Sequence, residues 1–389
     1  MKVVIEKSQF VDAVKKLNEI TIKGTLPIVN CITFEVSNHD VMMGAYNIEQ
    51  ARYITIRKVT EVDREYKFAI NSDKLYKLLS VIKSQFVSIE YNDDDDDEKL
   101  TLDIGTKIKF DNVLTNAEDY VKPDYVADPV RCQLLFMSNS LTTAIGKVEW
   151  AYSRNKDEYR PALKGVCFDV CTNDNIVTAI ATDGAMMAVY ELMRTQVIID
   201  NDSEAGRYII PNQALKSLCT IDGVMVNLHF TDKHAIAFAD SDDIVITKLI
   251  EAVYPTWKRV VPTSFNFTYI TDSKAFNDGL KHIIKVMKVM DVESVDQIIR
   301  FTFNDCIAKM HHQSKVKNEP IVIEHDTKLP FVTSQLPDGF SFNFNADRLQ
   351  RILASFDGDV KWSINEGMTP IKFSVDEQYY VIGMPCRGN

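Results

Sequence analysis

The densest set of side chains capable of chemistry is Asp93–Glu98, five aspartates followed by a glutamate. Carboxylates so crowded could hold a divalent cation and support metal-dependent cleavage of DNA. They sit inside the stretch Phe86–Leu114, between two segments of alternating polarity. A charge run in that position suits the solvated tip of a hairpin better than a metal cage. His311 and His312 are adjacent, so on a strand they point to opposite faces and cannot chelate together. Cys167 and Cys171 fall on one face of a strand, with no second pair to complete a zinc knuckle. The seven cysteines are scattered, odd in number, and read as reduced thiols of a cytoplasmic protein. Asp183 belongs to Ala181-Thr182-Asp183-Gly184, a tight-turn signal after an apolar strand, and has no identifiable acid–base partner. No glycine-rich phosphate loop, H-E-x-x-H or G-x-S-x-G occurs. These residues imply no catalytic centre, no metal and no cofactor; the expectation is a protein that is not an enzyme.

The elements that would carry these residues follow one recurring unit. Lys67–Ile82, KFAINSDKLYKLLSVI, opens with a short apolar run, passes through the polar cap Asn71-Ser72-Asp73, and continues with Leu75, Leu78, Leu79 and Ile82 at helical spacing. The same order returns at Phe340–Phe356, where Leu349, Ile352, Leu353 and Phe356 form the stripe. Weaker copies begin at Val3, Leu135, Tyr208 and Tyr269. Six helices are expected, starting near residues 10, 71, 139, 211, 272 and 345, at intervals of about 60–70 residues. Between them the chain alternates apolar and polar residues, as in Ile32–Val59, which predicts antiparallel strands. Each unit is then one helix with three or four strands, an α+β arrangement, and two units make a domain.

Two stretches look like joints: Tyr120–Arg131, with two prolines and no periodicity, and Arg259–Phe265. The expected domains are therefore 1–128, 129–262 and 263–389. Lys309–Thr327, with Lys315, Lys317 and Pro320, is expected to form a loop-bearing hairpin. No run has the length of a membrane-spanning helix, and MKVVIEKSQF lacks the apolar centre of a signal peptide.

Net charge is −11, which taken whole argues against nucleic acid as a partner. Its distribution argues the other way. The six helix windows (10–20, 71–83, 139–154, 211–219, 272–288, 345–355) hold 14 Lys/Arg against 7 Asp/Glu, leaving 30 against 48 elsewhere. Basic helices on an acidic chain suit a surface that faces a polyanion.

Five motifs in order resemble the bacterial β sliding clamp family, the processivity subunits of replicative DNA polymerases. They are Thr25-Leu26-Pro27-Ile28; Arg160-Pro161-Ala162-Leu163-Lys164-Gly165; Ala181-Thr182-Asp183-Gly184; Lys248-Leu249-Ile250 through Tyr254-Pro255 and Arg259-Val260-Val261-Pro262; and Tyr380 to Pro385. The resemblance implies three like domains per chain, two chains closed head to tail into a ring, helices lining the hole and sheets outside. It implies double-stranded DNA, the replicative polymerase, the clamp loader, other proteins bearing clamp-binding peptides, and a second copy of the chain as partners, with no membrane. Candidate DNA contacts are Lys23, Lys74, Lys77, Lys147, Arg154, Lys216, Lys281, Arg348 and Arg351. The dimer contact would pair Phe110, on a closing edge strand, with Val286 on a facing helix.

Carried over residue by residue, the family's peptide pocket would be lined by Leu163, Thr182, Gly184, Met186, Met187, Pro255, Val260, Ile382, Met384 and Pro385. Where the family commonly follows its ATDG turn with histidine, arginine and leucine, this chain has Ala185, Met186 and Met187; the ending Cys386-Arg387-Gly388-Asn389 also differs. Two alternatives stand beside the clamp: a metal-dependent DNA enzyme using the acidic run, and a non-ring DNA-binding accessory protein.

Overall fold

The computed structural model describes the chain except residues 59, 63, 93–98, 111–127, 138, 222, 240–241, 294–296, 305–306, 317–318, 329–330 and 388–389. The acidic run, most of the expected joint at 120–131, Lys317 and the last two residues thus lie outside the described residues.

All six expected helices are present, each running directly out of a strand or one short step after it. They are α1 (Lys7–Asn18), α2 (Ser72–Leu78), α3 (Ser140–Val148), α4 (Asn212–Cys219), α5 (Ser273–Val289) and α6 (Ala346–Ala354). The recurring polar cap explains three of the starts. Asn71, Asp272 and Asn345 each accept a hydrogen bond from the backbone N–H three residues on, at 3.1, 2.7 and 3.1 Å. The first helix departs from expectation. It starts at Lys7, not near residue 10: the strand Lys2–Glu6 passes straight into it, and no side chain caps its start. The apolar stripes are buried as their spacing requires: Phe10, Val14 and Leu17 on α1, and Leu349, Ile352 and Leu353 on α6.

By backbone contact the chain forms two units. One comprises residues 1–143, 172–175 and 194–251. The other comprises 144–171, 176–193 and 252–389, so residues of the segment 129–262 are divided between them.

The first unit contains two antiparallel sheets. The smaller runs in the order Lys2–Glu6, Phe86–Asn92, Lys99–Asp103, Lys107–Phe110, with the last strand at the edge. The larger runs Val197–Ile199, Cys132–Met137, Met225–Phe230, His234–Ala239, Asp243–Lys248, Gln50–Arg57, Asp40–Tyr46, Cys31–Val36, Tyr66–Asn71. Its middle pairing brings Asp243 opposite Ile54 and Thr247 opposite Gln50. A core including Val3, Phe10, Phe34, Phe68 and Leu102 is buried against α1 and α2.

The second unit has eight strands of one sheet in the order Gly165–Cys171, Ile176–Thr182, Met186–Leu192, Tyr379–Gly383, Ile371–Ser374, Asp359–Ile364, Phe267–Asp272, Phe331–Ser334. A four-stranded sheet runs Glu319–Lys328, Ile307–Val316, Ile298–Asn304, Phe340–Asn345. Strands at 307–316 and 319–328 pair in register as the expected hairpin. The core is aromatic. Trp362 is fully buried, with Phe276 and Phe373 each at 4.8 Å between ring centroids and Tyr269 at 5.8 Å. The adjacent histidines do face apart: His312 is buried on the carbonyl of Ile298, and half-exposed His311 meets Glu324.

Candidate functional site

The second unit carries an apolar groove of about 230 Å³. Its position follows from three local features. First, the strand Met186–Leu192 pairs with Tyr379–Gly383, placing Met187 opposite Ile382 and Met186 opposite Gly383. Second, the turn between Thr182 and Met186 is tied by its own side chains. The Thr182 hydroxyl donates to the Met186 carbonyl at 2.7 Å and accepts from the Gly184 N–H at 3.0 Å. The Asp183 carboxylate accepts from the N–H groups of Ala185 and Met186 at 2.8 and 2.9 Å. Gly184 has φ +90°, a conformation that side chains with a Cβ resist. Third, Met384 extends the pairing, donating its N–H to Ala185 at 2.9 Å.

Of the ten pocket residues expected from the sequence, nine line this groove: Leu163, Thr182, Gly184, Met186, Met187, Pro255, Val260, Ile382 and Met384. Pro385 does not; it is buried just beyond Met384. Four further wall residues were not anticipated: Arg160, Ala185, Thr256 and Trp257. Arg160 and Ala185 lie within or beside quoted motifs, and Trp257 sits between Pro255 and Arg259, so proximity was the available signal. Trp257 is held in place by its indole N–H, which donates to Asp169 at 2.7 Å. Met186, Met187 and Ile382 are nearly fully buried, whereas Val260 is 48% exposed, so the groove has a firm floor and an open lip. Two residues past Met384, half-exposed Cys386 donates its N–H to the Asn343 carbonyl at 2.8 Å.

Beside the groove lies a polar cleft of about 540 Å³ that shares Arg160 with it. Arg160 grips Glu158 with two hydrogen bonds of 2.8 and 3.0 Å. That grip, chiefly, pushes the Glu158 carboxyl down to about 2. Arg348 lies 3.6 Å from Asp183. Arg351 donates to the carbonyl of Trp150 and sits over its ring, and burial holds its guanidinium below the ordinary range. Arg154 lies 5.9 Å from the centre of the Tyr152 ring.

The basic residues expected to meet DNA are placed as follows. Lys74 and Lys77 are on α2, Lys147 on α3, Lys216 on α4, Lys281 on α5, and Arg348 and Arg351 on α6; Lys23 and Arg154 lie in connecting segments. Lys23 and Lys74 are exposed. Lys77, Lys216 and Lys281 are exposed but paired with Asp73, Glu19 and Asp278 at 2.8, 2.7 and 3.1 Å. Lys147 is half-buried over the Tyr379 ring at 4.9 Å. Phe110 ends the edge strand of the small sheet and is 8% exposed. Val286 is half-exposed on α5, with Val289 and Met290 exposed just beyond it.

Among the described residues no cluster of His, Cys, Asp and Glu has the arrangement of a metal site, and no helix is long and apolar enough to cross a membrane.

Comparison with known proteins bears on the whole chain. Residues 136–256 match the family described as the central domain of the DNA polymerase III beta subunit. The beta sliding clamp of Streptococcus pneumoniae is 22% identical over an alignment covering 99% of both chains. That of Staphylococcus aureus is 24% identical over 81% of both. Among solved structures, the beta subunit of Streptococcus pyogenes DNA polymerase superposes with a TM-score of 0.84 at 16% identity over the full length of both chains. The Helicobacter pylori beta clamp bound to a DNA ligase peptide superposes at 0.80 with 17% identity, also over full length. The chain therefore has the DNA-clamp fold.

Proposed function

We propose that this chain, a divergent member of the bacterial β sliding clamp family, encircles duplex DNA and tethers the replicative polymerase to it. The observation that carries this reading is the groove. Its wall is drawn from four separated stretches, it is rich in methionine, and it leaves a lip open for an extended peptide. Methionine side chains are flexible and polarisable, so such a wall adapts to different partners. A docked peptide burying one or two aliphatic or aromatic anchors would gain about 1.5–3 kcal/mol from each. Peptides of the polymerase, the clamp loader and repair proteins are the ligands this assigns; no catalytic step is assigned.

Each chain is read as three clamp domains, 1–128, 129–262 and 263–389. Two chains join through Phe110 of one copy and Val286 of the other, forming a head-to-tail dimer. The exposed cations Lys23 and Lys74, with Lys77, Lys216 and Lys281 once their carboxylates release them, meet DNA phosphates without reading bases.

The test is retention on nicked circular DNA in the presence of a clamp loader, before and after linearisation. A ring stays on the circle and runs off the ends. A groove binder or a DNA enzyme treats the two substrates alike, and that result would end the reading. Phe110→Ala with Val286→Asp should convert dimer to monomer in analytical ultracentrifugation; an unchanged dimer rejects this placement of the interface.

A further inference from the structure

The cleft beside the groove has a charge arrangement that the clamp reading alone does not require. Its lining holds Arg154, Arg160, Arg348 and Arg351 against Glu158, Asp183 and Asp347. The carboxylates are unevenly engaged. Glu158 is taken up by Arg160. One oxygen of Asp183 is occupied by two backbone N–H groups, and the other stands 3.6 Å from Arg348, too far for a close hydrogen bond. Among the described residues Arg154 pairs with no carboxylate, only with the Tyr152 ring. Arg351 spends its guanidinium on a carbonyl and a ring face. Four arginines against three carboxylates leave the cleft one positive charge in excess, with Arg154 the group that has no carboxylate partner among the described residues and Arg348 only loosely held by Asp183. The first turn of α6, which carries Arg348, lines the same cleft and adds the positive end of its dipole.

We propose that this arginine cleft binds an aspartate or glutamate side chain of the peptide docked in the adjoining groove, making the chain selective for partners whose apolar anchor is flanked by an acidic residue. The inference rests on the peptide-docking reading. Its geometric basis is continuity: Arg160 belongs to both walls, and the Thr182–Met186 turn separates the two depressions by only a few residues. A peptide lying in the groove would meet Arg160, which also lines the cleft. Guanidinium groups are suited to the task, because they present paired donors to a carboxylate and remain charged. Three of these arginines were expected from the sequence to meet DNA. Arg351 is half-buried and engaged with Trp150, which leaves Arg154 and Arg348 as the groups available to an arriving carboxylate.

The test uses two short fluorescein-labelled peptides that share leucine and phenylalanine anchors and differ in two flanking residues, Glu in one and Gln in the other. Fluorescence anisotropy at low salt should show the Glu peptide binding roughly tenfold more tightly, the effect of about one charge-assisted hydrogen bond. The ratio should shrink as salt is raised. Arg154→Gln combined with Arg348→Gln should bring the two peptides to equal affinity by weakening only the Glu peptide. Equal affinities for wild type overturn the acidic-flank proposal while leaving the groove reading intact. If neither peptide binds, the groove reading falls and takes the proposal with it. A double variant that loses retention of a labelled DNA duplex but keeps the full Glu-to-Gln ratio assigns these arginines to DNA and also overturns the proposal.

Discussion

Two strand pairings, one in each unit, join segments that are remote in sequence, and they are finished in opposite ways. In the first unit Asp243–Lys248 pairs with Gln50–Arg57, and Arg52 is fully buried at the seam. Its guanidinium donates to both oxygens of Asp243 at 2.8 and 2.6 Å, to the Thr220 hydroxyl at 2.7 Å and to the Thr220 carbonyl at 2.9 Å. Lys16 of α1 approaches the same carboxylate at 3.8 Å. The other face of the seam is a small apolar cluster of Ala51, Tyr53, Ile236 and Ile246. In the second unit Met186–Leu192 pairs with Tyr379–Gly383, and methionine and isoleucine side chains stand where the first seam has its ion pair. A buried, hydrogen-bonded charge pair tolerates one register only, since a slip of one residue would turn Arg52 to the wrong face. An apolar, methionine-bearing seam is held by its backbone ladder and by side-chain shape, and can leave part of its surface for a ligand. The first seam is closed by its chemistry; the second keeps an opening.

The largest effect should come from breaking the closed seam. Asp243→Ala strands the Arg52 charge in the interior and should cost about 3–5 kcal/mol in urea unfolding. Replacing both partners, Arg52→Met with Asp243→Leu, should restore most of that loss, because the cost lies in the unpaired charge. A loss below about 1 kcal/mol for the single variant would show that the ion pair does not hold the seam.

The open seam should respond in binding more than in folding. Met384→Asp puts a carboxylate at the groove wall and should weaken an anchored peptide at least tenfold by anisotropy, the loss of about one buried anchor. Stability should change by less than about 1 kcal/mol, since Met384 is half-exposed and its backbone bond to Ala185 remains. Peptide binding at the wild-type level would remove the groove from the functional reading, and outright unfolding would make Met384 a core residue.

A smaller effect is expected at Gly383, opposite Met186. A Cβ there would stand 2.7 Å from the Phe344 ring and 2.9 Å from Ile352. Gly383→Ala should lower stability by about 1–3 kcal/mol through overpacking. No change in thermal midpoint would mean that α6 has room to withdraw from the seam.

The smallest effect is an acid sensitivity of the first unit. His229 lies on Met225–Phe230, two strands from the seam, and burial lowers its pKa from the ordinary 6.5. The folded chain then binds fewer protons than the unfolded chain below that pH, so stability is retained above about 6.5 and falls as pH drops toward the folded pKa. His229→Gln should flatten that fall by less than about 1 kcal/mol in urea midpoints measured against pH. An unchanged slope assigns the acid loss to other groups.

The parts of this molecule set by local chemistry were legible in its sequence. Strand-to-helix units with Asn71, Asp272 and Asn345 as caps depend on residues three or four apart, and the structure has all six. The groove was legible through separated motifs, but its edges were not. Trp257 has no periodicity to mark it as a wall residue, and Pro385 sits in a motif whose side chains alternate between wall and interior. The Arg52–Asp243 pair could not be read at all. Its partners are 191 residues apart, and a single arginine in an alternating strand looks like a solvent-facing residue until the pairing is known. Whether a seam is closed by charge or left apolar is a long-range property.

The distribution of thiols gives the molecule a practical handle. Cys31 and Cys132 are buried, with burial the chief cause of thiol pKa values pushed up to about 11, so at neutral pH they present almost no thiolate. Cys167 is buried as well. Cys386 is half-exposed and stands two residues past Met384. Cys171 and Cys219 are half-exposed too, so with these and Cys306 replaced by serine an alkylating dye would attach chiefly at Cys386. Such a single-thiol chain would carry a reporter two residues from Met384, and slower labelling on addition of a peptide would read occupancy of the groove.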